Sequence, residues 1–324
     1  MRIVSLLPSL TEICFTLGLG NQLVAVTHEC DYPETARSKP HITRSTLSNE
    51  TTNSAEIDSS VRQAVAEGRP LYELDVDRLI ELRPDLILTQ DLCHVCAVSI
   101  DDVRAIARRL APEPQVVSIE PRTIDDVLAS IEQVGDLTGR AGTARSVIEA
   151  LRTRLTLIVE QVERVGHRDR VVCLEWLDPP MVAGHWVPEM VGLAGGIDPL
   201  GRAGEPSFTV TWQQVIDARP DVMVLMPCGY DLPQTIGDVE RLRDADGRIP
   251  GELANVPAVA SGHVYAVDGS GYFNRPGPRV VIGTEILAGV LHAELAASHT
   301  PAGTVEPVEI VCPATSRSGE SPAG

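Results

Sequence analysis

Short, uninterrupted apolar runs alternate with stretches of helical periodicity along most of the chain. The runs at 3–7, 23–27, 86–89 and 116–119 read as buried strands. Between them, apolar residues at helical spacing predict amphipathic helices over 9–17, 75–82, 100–110 and 123–137. Thr123-Ile124-Asp125-Asp126 is a well-formed helix start: the threonine can cap, and the acids sit at the positive end of the helix dipole. A second pass has strands at 171–175, 222–226 and 264–267, with helices over 188–193, 211–218 and 278–291. Continuous apolar strands separated by amphipathic helices predict α/β architecture, with parallel sheets covered by helices.

Between the two passes lies one unbroken helical pattern over 140–165, with apolar residues at Val147, Leu151, Leu155, Ile158, Val159 and Val162. At about 1.5 Å per residue it would run roughly 39 Å, a stiff spine rather than an ordinary connector. The phrase Leu79-Ile80-Glu81-Leu82-Arg83-Pro84-Asp85-Leu86-Ile87-Leu88 returns in form as Val215-Ile216-Asp217-Ala218-Arg219-Pro220-Asp221-Val222-Met223-Val224. Each copy ends a helix at Arg-Pro-Asp, because proline lacks a donor and restricts the residue before it. The expected division is an α/β lobe over 1–139, a connecting helix over 140–166, a second α/β lobe over 167–297 and a disordered tail over 298–324. The tail is rich in Pro, Ser, Thr and Gly and has no hydrophobic periodicity.

The 324 residues are 43% hydrophobic and carry a net charge of −18. With no basic stripe, the chain is not built for nucleic acid, nor for an anionic membrane surface. Met1-Arg2 runs directly into a strand-like segment stopped by Pro8, and no apolar run nears the ~20 residues of a membrane span. A cytoplasmic protein without membrane insertion is expected. The seven cysteines, an odd number in a long chain, are then thiols rather than a disulfide framework.

Parallel α/β sheets bind ligands at the carboxyl ends of their strands, and the scarce residue types collect there. Pro8 and Ser9 follow the first strand, and His28-Glu29-Cys30-Asp31-Tyr32-Pro33 the second. Gln90-Asp91-Leu92-Cys93-His94-Val95-Cys96 follows the third. In the second half come Trp176 with His185 and Trp186, Cys228 with Tyr230, and Tyr272-Phe273-Asn274-Arg275. Aromatic residues make up only 3% of the chain, so their concentration here points to one cleft. The candidate ligand contacts are Pro8, Ser9, His28, Glu29, Trp176, His185, Trp186, Tyr230, Tyr272 and Phe273. Cys93, His94 and Cys96 form half of a tetrahedral metal site for a zinc or iron ion, which Cys30, Cys228, His28 or His185 would complete. The same Cys-x-x-Cys spacing also fits a redox pair or inert loop thiols, and Ser9 also fits a helix cap.

The opening Arg2-Ile3-Val4-Ser5-Leu6-Leu7-Pro8-Ser9-Leu10-Thr11-Glu12 resembles that of periplasmic binding proteins for vitamin B12 and iron–siderophore complexes. So do Asp31-Tyr32-Pro33, the Arg-Pro-Asp turns and the closing Phe273-Asn274-Arg275-Pro276-Gly277-Pro278-Arg279. The resemblance spans roughly 2–295 and implies two α/β lobes joined by one long helix, a class III, helical-backbone binding protein. Within that family the chain is similar to the cobalamin-binding subgroup. Leu177-Asp178-Pro179-Pro180 looks like its Asn-Pro-Pro segment, and Tyr272-Phe273 like its aromatic pair. It departs from that pattern at Glu29, where the subgroup has an aromatic residue, and at 91–96, where it has a Trp-containing loop. The resemblance implies docking to an ABC transporter through a surface acid on each lobe. Asp77 fits the first position, but Gln213 stands at the second, which argues against docking.

These observations lead to a non-enzymatic binder of a small-molecule metal chelate. The leading expectation is a corrinoid such as cobalamin, held between the lobes of a cytosolic binder or sensor, with His28, His94 or His185 ligating cobalt. The alternatives are a direct metal-ion or haem binder using Cys and His ligands, and a metalloenzyme with Glu29 or Glu175 as base.

Overall fold

A computed structural model describes residues 1–47, 53–90, 99–244, 250–295 and 301–310. In the first half, the buried apolar runs become β1 (Ile3–Ser5), β2 (Leu23–Ala25), β5 (Leu86–Thr89) and β6 (Gln115–Ser118), hydrogen-bonded in the order β2-β1-β5-β6. All pairs in this sheet are parallel, with Ile3 opposite Leu86 and Leu86 opposite Gln115. The helices fall where the periodicity places them: α1 (Pro8–Thr16), α3 (Val76–Leu82), α4 (Ile100–Ala107) and α5 (Ile124–Leu137). Thr123 and Asp126 form the reciprocal capping box that starts α5. Three elements have no counterpart in the sequence reading. They are α2 (Ser54–Ala66) and an antiparallel pair, β3 (Thr43–Ser45) with β4 (Tyr72–Leu74).

The second half is built around β7 (Val171–Leu177), β10 (Val222–Leu225) and β11 (Val264–Val267), all parallel. Its sheet is not parallel throughout, because β8 (Pro180–Val182), β9 (Phe208–Thr209) and β12 (Val305–Pro307) run antiparallel to their neighbours. The cause at β8 is chain length: only Asp178-Pro179 separates it from β7, and so short a link can join only antiparallel strands. The helices are α7 (Val187–Leu193), α8 (Trp212–Ala218), α9 (Leu232–Asp244), α10 (Pro257–Ala260), α11 (Gly269–Tyr272) and α12 (Val280–Leu291). The strand β12 lies inside the stretch expected to be disordered. It pairs with β11, and Ile310 beyond it is buried among the side chains of this lobe. Three apolar residues, Val305, Val308 and Ile310, are enough to seat a segment whose composition otherwise reads as a tail.

The spine is α6 (Ala141–Val165), closed by Gly166 in the left-handed conformation at φ 72°. Leu151, Leu155, Ile158 and Val162 form its buried stripe, and the helix packs on α5 from one lobe and on α7 and α12 from the other. A single apolar core runs from Ile3 and Leu10 through Ile131 and Leu155 to Trp186 and Ile286. The lobes therefore share a core across the spine as well as a covalent link.

The repeated Arg-Pro-Asp phrase folds into the same device twice. Arg83 and Arg219 both take left-handed conformations, at φ 43° and φ 44°, as they close α3 and α8. The following aspartates, Asp85 and Asp221, each accept the backbone N–H of an arginine at or before the lobe's first strand, Arg2 at 2.6 Å and Arg170 at 2.9 Å. Those arginines return the contact by donating to the Leu82 and Ala218 carbonyls at the ends of α3 and α8. Asp77 and Gln213 occupy equivalent exposed places in the first turns of these helices.

Neighbouring residues on the spine separate packing from propensity. Ile158, 1% exposed, loses about 2–5 kcal/mol when changed to alanine. Leu157→Ala, at a position 49% exposed, changes stability by only about 0.5 kcal/mol or less. Urea unfolding of the two variants checks the contrast.

Candidate ligand-binding cleft

The strand ends of the two lobes face one another across a cavity of about 900 Å³, near the top of the roughly 300–1,000 Å³ range of small-molecule sites. The first lobe contributes Pro8 and Ser9 from the start of α1, the loop carrying His28, Glu29 and Asp31, and Tyr72 from β4. The second contributes Glu175 from β7, the Gly184–Val187 loop, Cys228, and the segment from Asp268 to Arg279. Six carboxylates (Glu29, Asp31, Glu34, Glu175, Asp231 and Asp268) face three guanidiniums (Arg37, Arg275 and Arg279) on this wall.

Two histidines stand on opposite walls. His28 is held by the β3–β4 pair: its Nδ1 lies 2.8 Å from the Thr43 hydroxyl, which also accepts the His28 backbone N–H at 3.2 Å. Tyr72 packs on the ring at 5.7 Å between centroids, and its hydroxyl donates to Glu29 at 3.2 Å. Across the cleft, His185 sits at φ 51°, pinned by its N–H to the Glu205 carbonyl at 2.6 Å and by the Gly204 N–H to its own carbonyl. The preceding residue must be glycine: a Cβ on Gly184 would lie 2.4 Å from the Glu205 carbonyl oxygen. Neither ring nitrogen of His185 has a partner among the described residues, and Nε2 is shut off from solvent. Burial, helped by the charge of Arg122, lowers its pKa and favours the neutral imidazole.

The cleft is closed on one side by an ionic seam between the lobes. Arg279 donates from Nε and Nη2 to the two oxygens of Glu12 on α1, at 2.9 and 2.6 Å, and its guanidinium lies 4.1 Å above the Tyr32 ring. Arg275 reaches the Asp31 carboxylate and approaches Glu12 at 3.8 Å. Glu12 is 2% exposed, and burial pushes its carboxyl upward against the pull of both arginines. For Asp31, burial also pushes upward, but the hydrogen bond and charge of Arg275 outweigh it and leave the carboxyl below its ordinary value. At a second seam contact, Asp238 of α9 accepts the Ser54 backbone N–H at the start of α2, at 3.0 Å.

The candidate residues divide into three groups. Pro8, Ser9, His28, Glu29, His185, Trp186, Cys228 and Phe273 lie on the cavity wall. Trp186 and Phe273, however, are 5% and 0% exposed and belong to the shared core, with the indole N–H donating to the Phe273 carbonyl at 2.7 Å. They are structural floor rather than an open stacking surface. Trp176, Tyr230 and Tyr272 do not line the cavity. Trp176 pairs with Tyr230 at 5.6 Å, and Tyr272 lies beside Arg279. Cys30 is not a cleft ligand either: it is 2% exposed, within 3.1 Å of the Thr11 and Thr27 hydroxyls, and burial raises its pKa. Cys93, His94 and Cys96 lie outside the described residues. Among those described, no three His, Cys, Asp or Glu side chains gather into a site for a metal ion. Sequence reasoning missed Asp31, Arg275 and Arg279 as cleft residues, although they sit in the segments it singled out. Tyr72 was missed because β4 was.

With this geometry in view, the chain belongs to the family described as Periplasmic binding protein, whose pattern matches residues 3–270. It is 24% identical over 227 residues to the vitamin B12-binding protein of Yersinia pestis (strain Pestoides F), covering 69% of each chain. It is 23% identical over 288 residues to that of Vibrio vulnificus (strain YJ016), covering 88% of this chain and 87% of the other. Its fold is shared with the apo form of a periplasmic haem-binding protein from Roseiflexus sp. RS-1, at TM-score 0.66 and 23% identity over 91% of this chain and 98% of that one. It is also shared with the periplasmic vitamin B12 binding protein of Vibrio cholerae, at TM-score 0.61 and 21% identity over 93% and 98%. The family consists of binding proteins rather than enzymes, and this chain is one of them. The cytoplasmic expectation is overturned, because the family and these relatives are periplasmic. That expectation rested on where the given chain starts, which bears on no location. Among the described residues, no helix is long and apolar enough to cross a membrane.

Two outcomes follow from the ionic seam. Glu12→Ala and Arg279→Ala each strand a buried partner and cost about 3–5 kcal/mol, while the double variant costs less than their sum, as a double-mutant cycle in urea would show. Asp31, its carboxyl held low in the folded state, contributes stability that is present above its unfolded value and is lost as pH falls through the folded one. Below the ordinary aspartate value of 3.8, stability therefore falls more steeply with pH in the wild type than in Asp31→Asn, measured by thermal unfolding across pH.

Proposed function

We propose that this protein binds a corrinoid of the cobalamin type in the cleft between its lobes, reversibly and without turnover. The observation that carries the reading is the charge of the wall. Six carboxylates line it, and each of its three guanidiniums is already paired: Arg279 with Glu12, Arg275 with Asp31, and Arg37 with Glu34 at 3.4 Å. The two propionates of a haem would meet repulsion here and find no open cation. A corrin ring instead carries neutral amide side chains whose N–H groups can donate to carboxylates. The vitamin B12-binding relatives match over most of this chain, which supports the same ligand class. Pro8, Ser9, His28, Glu29 and His185 are the proposed contacts. Trp186 and Phe273 act as a rigid floor, and stacking surface comes from Tyr32 and Tyr72 beside the loop of His28. An acid on one lobe and Gln213 on the other support a docking face unlike one that presents two acids.

Isothermal titration with cyanocobalamin and, separately, with hemin tests the reading. Saturable cobalamin binding is expected, with a melting temperature that rises with ligand and a stabilisation of about 2.7 kcal/mol at a free concentration one hundred times Kd. Saturable hemin binding with no response to cobalamin would replace the corrinoid by a porphyrin, and a response only to zinc or ferrous ion would move the site to the thiols.

A further inference from the structure

We infer that His28, through Nε2, is the protein's axial ligand to the metal of the bound chelate, and that Thr43 is the positioning residue that aims it. The inference rests on the corrinoid reading. A metal whose four equatorial positions are filled by a macrocycle needs only one donor from each wall of a cleft. A bare ion needs a cluster, and the described residues hold none. Among the described residues the wall offers single imidazoles, one per lobe, and they differ in how they are prepared.

The His28 ring is set on two sides. The Thr43 oxygen has two lone pairs and can accept both the backbone N–H at 3.2 Å and Nδ1–H at 2.8 Å. That tautomer leaves the Nε2 lone pair free, the arrangement by which metal-ligating histidines are oriented through their second nitrogen. Tyr72, at 5.7 Å and tilted by 43°, limits rotation of the ring, and Glu29 holds the Tyr72 hydroxyl. His185 has a ring contact of its own, with Trp186 at 5.5 Å, but among the described residues no hydrogen bond sets its tautomer, and its Nε2 is buried, so ligation through that atom would require the side chain to swing out. Its part is to present an uncharged face to the other side of the ring.

With hydroxocobalamin in its aquo form the step is a ligand exchange: water leaves cobalt with its own electron pair and the Nε2 lone pair forms the new bond. The oxidation state is unchanged, and for the Nδ1–H tautomer the exchange moves no proton.

The test uses the full chain, its His28→Ala, Thr43→Val and His185→Ala variants, and two probes. Hydroxocobalamin has an exchangeable axial position, and cyanocobalamin has that position blocked by cyanide. Absorbance reports ligation, and equilibrium dialysis reports occupancy independently. The wild type should show a saturable shift of the visible bands with hydroxocobalamin that His28→Ala abolishes. Thr43→Val should weaken hydroxocobalamin binding by roughly 10–100-fold, and by less for cyanocobalamin. The shift should survive in His185→Ala. Hydroxocobalamin retained on dialysis by the wild type with no band shift, a shift that persists in His28→Ala, or one lost only in His185→Ala would each overturn the assignment while leaving the corrinoid reading in place. Neither cobalamin being retained by the wild type would overturn both.

Discussion

The bidentate pair between Arg279 and Glu12 is the contact on which the cleft depends. Glu12 is carried by the first helix of one lobe and Arg279 stands just before α12 of the other, and the carboxylate is almost wholly out of water. Desolvating such a group costs several kcal/mol unless an opposite charge meets it with good geometry, so each residue demands the other. Their meeting fixes where α1 sits against α12. Since α1 begins at Pro8 and Ser9, it also fixes one corner of the cavity. Arg275 and Asp31 extend the seam to the loop that bears His28. The shared apolar core along α6 makes the rest of the junction stiff, because sliding the lobes would expose side chains such as Ile158 and Ile286. A shared core and a paired seam favour a preformed cleft, for which the ordering cost of binding would be small.

The seam also explains which parts of the protein could be read from its sequence. Parallel strands buried on both faces leave continuous apolar runs, so β1, β5, β10 and β11 were legible. The spine was legible because its stripe is long and regular. The β3–β4 pair was not, because three-residue strands are too short to carry a periodicity, and α2 fully buries only Ser54 and Ala64, so no apolar stripe marks it. β12 was hidden by composition, since a segment held by three apolar residues looks like a tail.

The strand-end rule led to segments that line this cavity, but the scarcity of a residue type was a poor guide to its exposure. Scarce aromatic residues drew attention to Trp186 and Phe273, whose scarcity reflects the demands of a core that fills space between lobes. Burial cannot be read from residue type, and a tryptophan flanked by glycine in sequence can still be 5% exposed. Cys30 misled for the same reason, as a small apolar side chain with a weak donor, satisfied by two threonines. The raised pKa values of Cys14, Cys30 and Cys173 make all three poor nucleophiles. Among the described residues, Cys228 on the cavity wall is the exposed thiol.

Family membership and ligand identity are therefore recorded in different residues. Glu12, Asp31, Tyr32, Arg275 and Arg279 stand in the motifs that make the chain recognisable, and every one of them takes part in the seam between lobes. They report how such a protein is held together. The residues proposed to meet a ligand, including His28, Glu29, Glu175 and His185, come from three separate strand ends. A wall assembled from scattered positions can change charge without disturbing the seam, since none of its carboxylates beyond Asp31 is needed to neutralise Arg275 or Arg279. That independence lets a fold of this kind vary the chemistry of its cleft while its lobes stay joined. It is also why the ligand of this chain has to be argued from its own carboxylates and from the nitrogen that Thr43 holds in place.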